Sequence, residues 1–323
     1  MKIRGFVRAA LALAVLWPAM AVAQSYPTRP VTMVTPYSAG SGFDVLSRVV
    51  AEKLSARLHQ PVIVDDKPGA AGNLGAGYVA KAAPDGYTLL VTGNAIAVAP
   101  ALYKSLPFDP VTDFTYIAEV ATGSMALVVN PKVLPVKTLA ELKAAALKSP
   151  GKLNYSSAGI GTPHHLGMEL LKKKLGLDIV HVPYSGATGA LNDLLAGHVQ
   201  LAMFPANVVM RFAKSGQLRV IAVSGKARSQ LAPDAPTFEE AGLKDADIQL
   251  YYFVSAPAHL PPAVTAKLNS EIVAVLAEPD VRDHLTKLGL APQSSTPEAV
   301  TSLVTQDVAR WKAFIPAAHI TAN

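Results

Sequence analysis

Residues 31–58 read VTMVTPYSAGSGFDVLSRVVAEKLSARL. Val31 to Thr35 is a short apolar run of the length a buried strand needs. Pro36 to Asp44 is a loop of small and hydroxyl residues, with Gly40 and Gly42 two positions apart. Beyond it Leu46, Val50, Leu54 and Leu58 recur every four residues, the stripe of an amphipathic helix. Asp44 stands just before that stripe, where an N-cap is expected. A strand that feeds a helix through a small-residue turn is the unit of a parallel sheet covered by helices.

The unit recurs along the chain. Leu153 to Ser156 reads as a strand, Ser156-Ser157-Ala158-Gly159-Ile160-Gly161-Thr162 as a second small-residue turn, and His165 to Leu175 as a helix. Further strands are expected at 62–65, 87–92, 114–120, 125–129, 179–182, 201–204, 218–223 and 249–256. Further helices are expected at 79–83, 139–147, 190–196, 263–276, 281–288 and 298–314. The strand–helix rhythm breaks near residue 124 and restarts, which gives two α/β units of domain size. The strand-rich segments near 114–129 and 249–256 pass between them. Residues 24–124 and 253–323 are therefore expected to form one lobe, with 125–252 inserted as a second lobe and a two-strand hinge between.

Composition narrows the function. The chain has 323 residues, 50% hydrophobic and 16% charged, so it has ample apolar surface for a core. It has no Cys, which excludes disulfides, thiolate metal sites and a Cys nucleophile. Lys2, Arg4 and Arg8, the apolar run Ala9 to Trp17 and the small residues Ala21-Val22-Ala23 form an export leader over residues 1–23. The apolar run falls short of the roughly 20 residues that cross a bilayer. Three of the cations lie in that leader, so its removal lowers the net charge from +6 to +3. The remaining net charge is small, and no nucleic-acid partner is expected. A soluble exported protein without disulfides fits a bacterial periplasm.

The two small-residue turns are the candidate site. Each ends a strand and starts a helix, where main-chain amides lack intrahelical partners and partial positive charge gathers. Two such ends across one cleft would hold an anion without Arg or Lys. Neither turn is a phosphate loop, since no Gly-Lys-Ser/Thr follows. Gly69, Gly72, Gly75 and Gly77 follow a polar Asp-Asp-Lys-Pro turn and read as turn and close packing, not as a nucleotide fingerprint. Adjacent His164 and His165 diverge by about 100° on a helix, so they make a poor metal pair. No His-Glu-x-x-His or Gly-x-Ser-x-Gly occurs. No cofactor, metal or catalytic residue is expected, and an exported hydrolase with a spatial triad remains a minor alternative.

The ordered motifs resemble the periplasmic solute receptors of tripartite tricarboxylate transporters, the Bug receptors. They include YPTRPV at 26–31, PYSAG at 36–40, KPGAAG at 67–72, PDGYTLL at 84–90, PFDP at 107–110, GTPHHL at 161–166, HVPYSG at 181–186, GQLR at 216–219 and PDAPT at 233–237. The resemblance covers roughly residues 26–321. It implies a two-lobed fold of periplasmic-binding-protein type II, with parallel-rich sheets flanked by helices, and closure of the lobes on a small carboxylate. It places Tyr37, Ser38, Ala39, Gly40, Ser41 and Phe43 on one wall and Ser157, Ala158, Gly159, Gly161 and Thr162 on the other. Asn94, His165, Tyr184 and Phe204 are implied neighbours. It also implies monomeric delivery to membrane permease subunits, with docking on a signalling sensor as the alternative. Ser38, Ser41 and Phe43 depart from the usual Pro, Gly and small residue, and Gln200 and Pro205 stand where many members carry Asp. Loss of those acids favours a non-amino carboxylic acid, aromatic or dicarboxylic, over an amino acid.

Overall fold

The computed structural model describes residues 26–244, 246 and 249–321. The expected leader lies outside them. Among the described residues, eleven strands form two sheets flanked by helices. The larger sheet holds β1 (Val31–Thr35), β2 (Val62–Asp66), β3 (Thr88–Gly93), β4 (Phe114–Gly123), β10 (Leu250–Pro257) and β11 (Leu290–Pro292), in the order β11-β4-β10-β3-β1-β2. The smaller holds β5 (Met125–Val129), β6 (Asn154–Ser157), β7 (Val180–Pro183), β8 (Leu201–Pro205) and β9 (Arg219–Val223), in the order β7-β6-β8-β5-β9. The helices are α1 (Gly42–Leu58), α2 (Asn73–Ala80), α3 (Ala95–Leu102), α4 (Leu139–Lys148), α5 (Pro163–Leu175), α6 (Ala187–Ala196), α7 (Ala206–Lys214), α8 (Pro262–Ala277), α9 (Pro279–Lys287) and α10 (Pro297–Ala317).

Both sheets are mixed, and the mixture has a pattern. β1 pairs in parallel with β2 and β3, and β6 with β7 and β8. The antiparallel pairs are those that involve β4, β5, β9, β10 and β11. Four of these strands flank the crossings between the sheets. The parallel-rich expectation therefore holds for the strands that lead into the two small-residue turns, where helical crossovers enforce it. The strands that carry the chain between sheets run antiparallel.

The chain leaves the larger sheet at Gly123, passes through Ser124 and enters the smaller sheet at Met125. It returns through residues 224–249. The returning strand starts at Leu250, which pairs with Gly123, so 250–252 belong to the larger sheet. Ser224 zips the crossings together: its amide donates to the Met125 carbonyl at 2.7 Å, and its hydroxyl accepts the Met125 amide at 2.8 Å. Asn94 clamps the return. Its side-chain amide donates to the Gln249 carbonyl at 3.1 Å and accepts the Tyr251 amide at 3.0 Å.

One apolar cluster runs through both lobes. It joins Leu90 and Phe253 of the larger sheet to Leu127 and Leu201 of the smaller, and includes Val304 and Phe314 of α10. Helix α10 starts at the cap Thr296, whose hydroxyl accepts the Ala299 amide, with Pro297 at the first helical position. Its buried face packs on α3 and β4. A second cluster lies between the larger sheet, α1 and α8, where Leu46, Val50, Leu54 and Leu58 form the stripe read from the sequence.

Candidate functional site

The parallel strands β1 and β6 both end at the boundary between the lobes, and each delivers one of the small-residue turns there. In the first turn the N-cap is Ser41, not Asp44: the Ser41 hydroxyl accepts the Asp44 amide at 3.2 Å. Asp44 is the third helical residue. It reaches back and accepts the Gly40 amide at 2.7 Å, as in a capping box. Arg48 pairs with the buried Asp44 at 2.6 Å and with Asp66 at 3.0 Å, which anchors the turn to β2.

The second turn is held differently. Thr162 caps α5, accepting the His165 amide and donating its hydroxyl to the Gly159 carbonyl at 2.7 Å. His165 Nδ1 accepts the Gly161 amide at 3.0 Å, which places its proton on Nε2. His181 Nε2 lies 2.7 Å from the Ser157 hydroxyl, which also accepts the Gly159 amide at 3.2 Å. The two imidazoles stack with centroids 4.0 Å apart, and the fully buried Tyr155 ring stacks on His181 at 4.8 Å. Tyr155 donates to Glu169 at 2.6 Å, and Lys172 also donates to that carboxylate at 2.6 Å. Burial pushes both His165 and His181 down to about 4, with the Lys172 charge adding to the effect. Both are therefore neutral at neutral pH, as the acceptor role of His165 requires.

A cavity of 450 Å³ lies between the lobes. Tyr37, Phe43, Asn94, Ala158, Gly161 and Thr162 of the sequence-expected set line it. The other nine do not. Ser38, Ala39 and Gly40 are exposed, and Ser41 serves as the helix cap. Ser157, Gly159 and His165 hold the shape of the second turn. Tyr184 is half-buried and donates to Asp193 at 2.5 Å, and its amide donates to the Ser157 carbonyl at 3.1 Å. Phe204 is fully buried in the core of the smaller lobe, beneath His164. Of the two positions where an acid is common, Pro205 lines the cavity, whereas Gln200 accepts the Asn154 amide at 2.7 Å and does not line it.

Three properties of the cavity bear on chemistry. None of its lining residues is Asp, Glu, Lys or Arg. Among the lining residues, the amides of Tyr37 and Phe43 on one wall and of Ala158 and Ile160 on the other meet no acceptor among the described residues, whereas that of Gly161 is already used. On the larger lobe, Tyr37 stacks on Phe43 at 4.3 Å and Phe43 packs on Tyr252 at 4.7 Å, giving an aromatic wall. The sequence reading missed Tyr252, Leu102 and Met125, lining residues brought in from other segments, and His164, which directly follows the second turn.

The lobes touch. A Cβ at Gly161 would collide with Leu102 of α3, so the second turn sits directly against the opposite lobe. Lys173 lies over the Phe314 ring at 5.1 Å, and Asn207 of α7 donates to the Leu288 carbonyl at 2.7 Å. An adjoining cavity of 590 Å³ has the opposite character. Glu119, Lys226, Arg228, Asp307 and Arg310 line it, and Asp307 accepts the Tyr251 hydroxyl at 2.7 Å. Burial pushes the Glu119 carboxyl up to about 7. Among the described residues no group of side chains is placed to hold a metal ion, and no helix is long and apolar enough to cross a membrane.

Known proteins share this arrangement. The sequence profile described as Tripartite tricarboxylate transporter family receptor matches residues 46–320. A protein of Agrobacterium vitis is 36% identical over 94% of this chain and 88% of its own length. Protein BugT of Bordetella pertussis is 32% identical over 91% of this chain and 90% of its own. Among solved structures, MatC from Rhodopseudomonas palustris with bound malate is 31% identical with a TM-score of 0.74, covering 89% of this chain and 99% of that one. An R. palustris protein solved with adipate is 32% identical with a TM-score of 0.79, covering 92% and 100%. With a match of the family profile over most of its length and relatives above 30% identity that it covers almost fully, the chain belongs to the tripartite tricarboxylate transporter receptor family.

Proposed function

We propose that this chain is a periplasmic receptor that captures a small organic acid between its lobes and delivers it to the permease subunits of a tripartite tricarboxylate transporter. The observation that carries the reading is a cavity with no charged side chain in its lining and with the unpartnered amides of Tyr37 and Phe43 on one wall and of Ala158 and Ile160 on the other. Such a site favours an anion through amides and helix dipoles. Relatives solved with malate and adipate support a carboxylate as that anion.

The lining favours a non-amino acid. An amino acid's ammonium needs a carboxylate or several acceptors when dried, and no Asp or Glu lines the cavity. The Tyr37–Phe43–Tyr252 wall suits a flat or apolar body. A micromolar receptor needs about −8 kcal/mol. Hydrogen bonds to a charged group give roughly 1.5–3 kcal/mol each, so a few amides supply a gross gain of that size. Part of it offsets lost ligand freedom and lobe ordering. A ligand held by both turns binds the closed state better than the open one, and closure follows.

A thermal-shift screen over mono-, di- and aromatic carboxylates tests the reading. A true ligand at a hundred times its Kd adds about 2.7 kcal/mol of stability. Failure of every acid to raise the melting temperature, with the fold intact, removes the proposal.

A further inference from the structure

The second cavity, of 590 Å³, falls within the range of small-molecule sites, roughly 300–1,000 Å³. It has what the neutral cleft lacks, charged groups of both signs. Some of these are already matched. Asp307 accepts the Tyr251 hydroxyl at 2.7 Å and pairs with Arg310 at 3.6 Å, and Arg228 donates to Glu240 at 2.8 Å. Glu119 and Lys226 are different. The Glu119 carboxyl on β4 and the Lys226 ammonium on the segment returning from the smaller sheet line the same cavity, yet neither makes a hydrogen bond or ion pair among the described residues. Neither Glu119 oxygen is closed off from solvent, so with no partner the carboxyl opens on the cavity. Burial pushes its pKa up to about 7, the mark of a carboxyl short of partners.

Opposite charges that share a cavity without pairing leave a gap, and a molecule carrying both signs closes it. We propose that this cavity is a second ligand site and takes a small amino acid, its ammonium on Glu119 and its carboxylate on Lys226. Hydrogen bonds to charged groups at both ends select for the zwitterion. Thr122 and Ser124 also line the cavity and carry hydroxyls that can accept from the ammonium, while Val98, Leu166 and Leu303 offer a side chain apolar surface. The two cavities adjoin, but their deciding residues are separate. Phe43, Thr162 and Tyr252 line only the neutral cleft, and Glu119 and Lys226 line only the charged cavity. Amino-acid binding here needs no acid in the cleft, so the proposal stands or falls independently of the receptor reading.

Calorimetry with the twenty L-amino acids, one at a time at pH 7, tests it, followed by the N-acetyl derivative and the amide of the tightest binder. At least one amino acid should bind. Both derivatives, each missing one charge, should bind tenfold more weakly or worse. Glu119→Gln and Lys226→Gln should each weaken the amino acid by tenfold or more, with the fold confirmed by circular dichroism. Phe43→Ala, in the neutral cleft, should leave that affinity unchanged. No binding by any amino acid overturns the inference, and so does an affinity unchanged in Glu119→Gln or in Lys226→Gln. Derivatives that bind as well as the parent also overturn it, because the charges then play no part. A loss in Phe43→Ala as large as that in Glu119→Gln places the molecule in the neutral cleft and removes the second site.

Discussion

The two turns that face the cleft do the same job with opposite chemistry. The turn at 36–44 is braced by a buried carboxylate: Asp44 holds the Gly40 amide and is itself tied down by Arg48. The turn at 156–162 is braced by a stack of neutral rings, with His165 on the Gly161 amide and His181 against Ser157. Each leaves amides without an acceptor among the described residues, including those of Tyr37 and Phe43 in the first and of Ala158 and Ile160 in the second. The difference lies in what each brace tolerates. An acid–arginine pair stays intact over a wide pH range, whereas an imidazole acceptor is lost when it takes a proton. The second turn also lies against the other lobe at Leu102, whereas a Cβ at Gly40 would meet nothing.

That asymmetry predicts unequal responses to the same substitution. Gly161→Leu should lower affinity for a bound acid by a hundredfold or more. It forces a side chain into a backbone with φ +76 and drives it into Leu102, so the lobes cannot seat. Gly40→Leu, with φ +78 but open space, adds backbone strain of about 1–2 kcal/mol and should lower affinity by roughly tenfold or less. Calorimetry with an acid found in the screen compares the two, with circular dichroism to confirm the fold. Equal losses would dissolve the distinction between the turns.

The braces themselves come next. His165→Ala removes the Gly161 acceptor and one layer of the ring stack, and should cost about 2–3 kcal/mol of stability as well as affinity. Asp44→Ala removes the back-reaching cap and the half-exposed Arg48 pair, and should cost about 1–2 kcal/mol. Urea unfolding of both variants ranks them.

Acidity separates the turns further. His165 and His181 have folded pKa values near 4, below the ordinary 6.5, so the native state binds fewer protons than the unfolded chain between those values. Their contribution is present above pH 6.5 and is lost as pH falls toward 4. The loosening should show first in the second turn, as faster amide exchange at Gly161 than at Gly40 near pH 4.5. Glu119 works in the other direction. Its pKa is raised to about 7, so its contribution is present below pH 4.5 and is lost as pH rises through 7. Glu119→Gln should therefore flatten the fall in melting temperature between pH 5 and pH 7.5, the smallest effect of the set. A fall unchanged in the variant would assign that loss to other groups.

Much of this architecture was legible in the chain, and the gaps have physical causes. Residues 31–58 declare themselves because an apolar run changes to a four-residue stripe across a turn. Helix α3 does not: its sequence AIAVAPAL is apolar all round and contains Pro100, so it shows no stripe and carries a helix breaker. It is nevertheless the element that meets Gly161. Helix α7 follows directly on Pro205 and is only nine residues long, which hides it behind strand β8. At the site, Tyr37, Phe43, Asn94, Ala158, Gly161 and Thr162 were found because each lies in or beside a strand-end turn. Tyr252, Leu102 and Met125 were missed because only the tertiary fold brings them there. The choice of His165 over His164 shows the limit well. One position of helix rotation sends the first ring behind the turn and leaves the second at the cavity wall, and the sequence carries no sign of which is which.

The two crossings between the lobes also differ, and this shapes the motion. Ser124 alone makes one crossing, whereas residues 224–249 make the other. The single residue has almost no slack, and the longer segment is itself packed down: Ser224 bonds Met125, Phe238 donates its amide to the Val223 carbonyl, and Asn94 holds Gln249. Extra residues spliced in at 124 would give this crossing slack and spoil alignment of the turns.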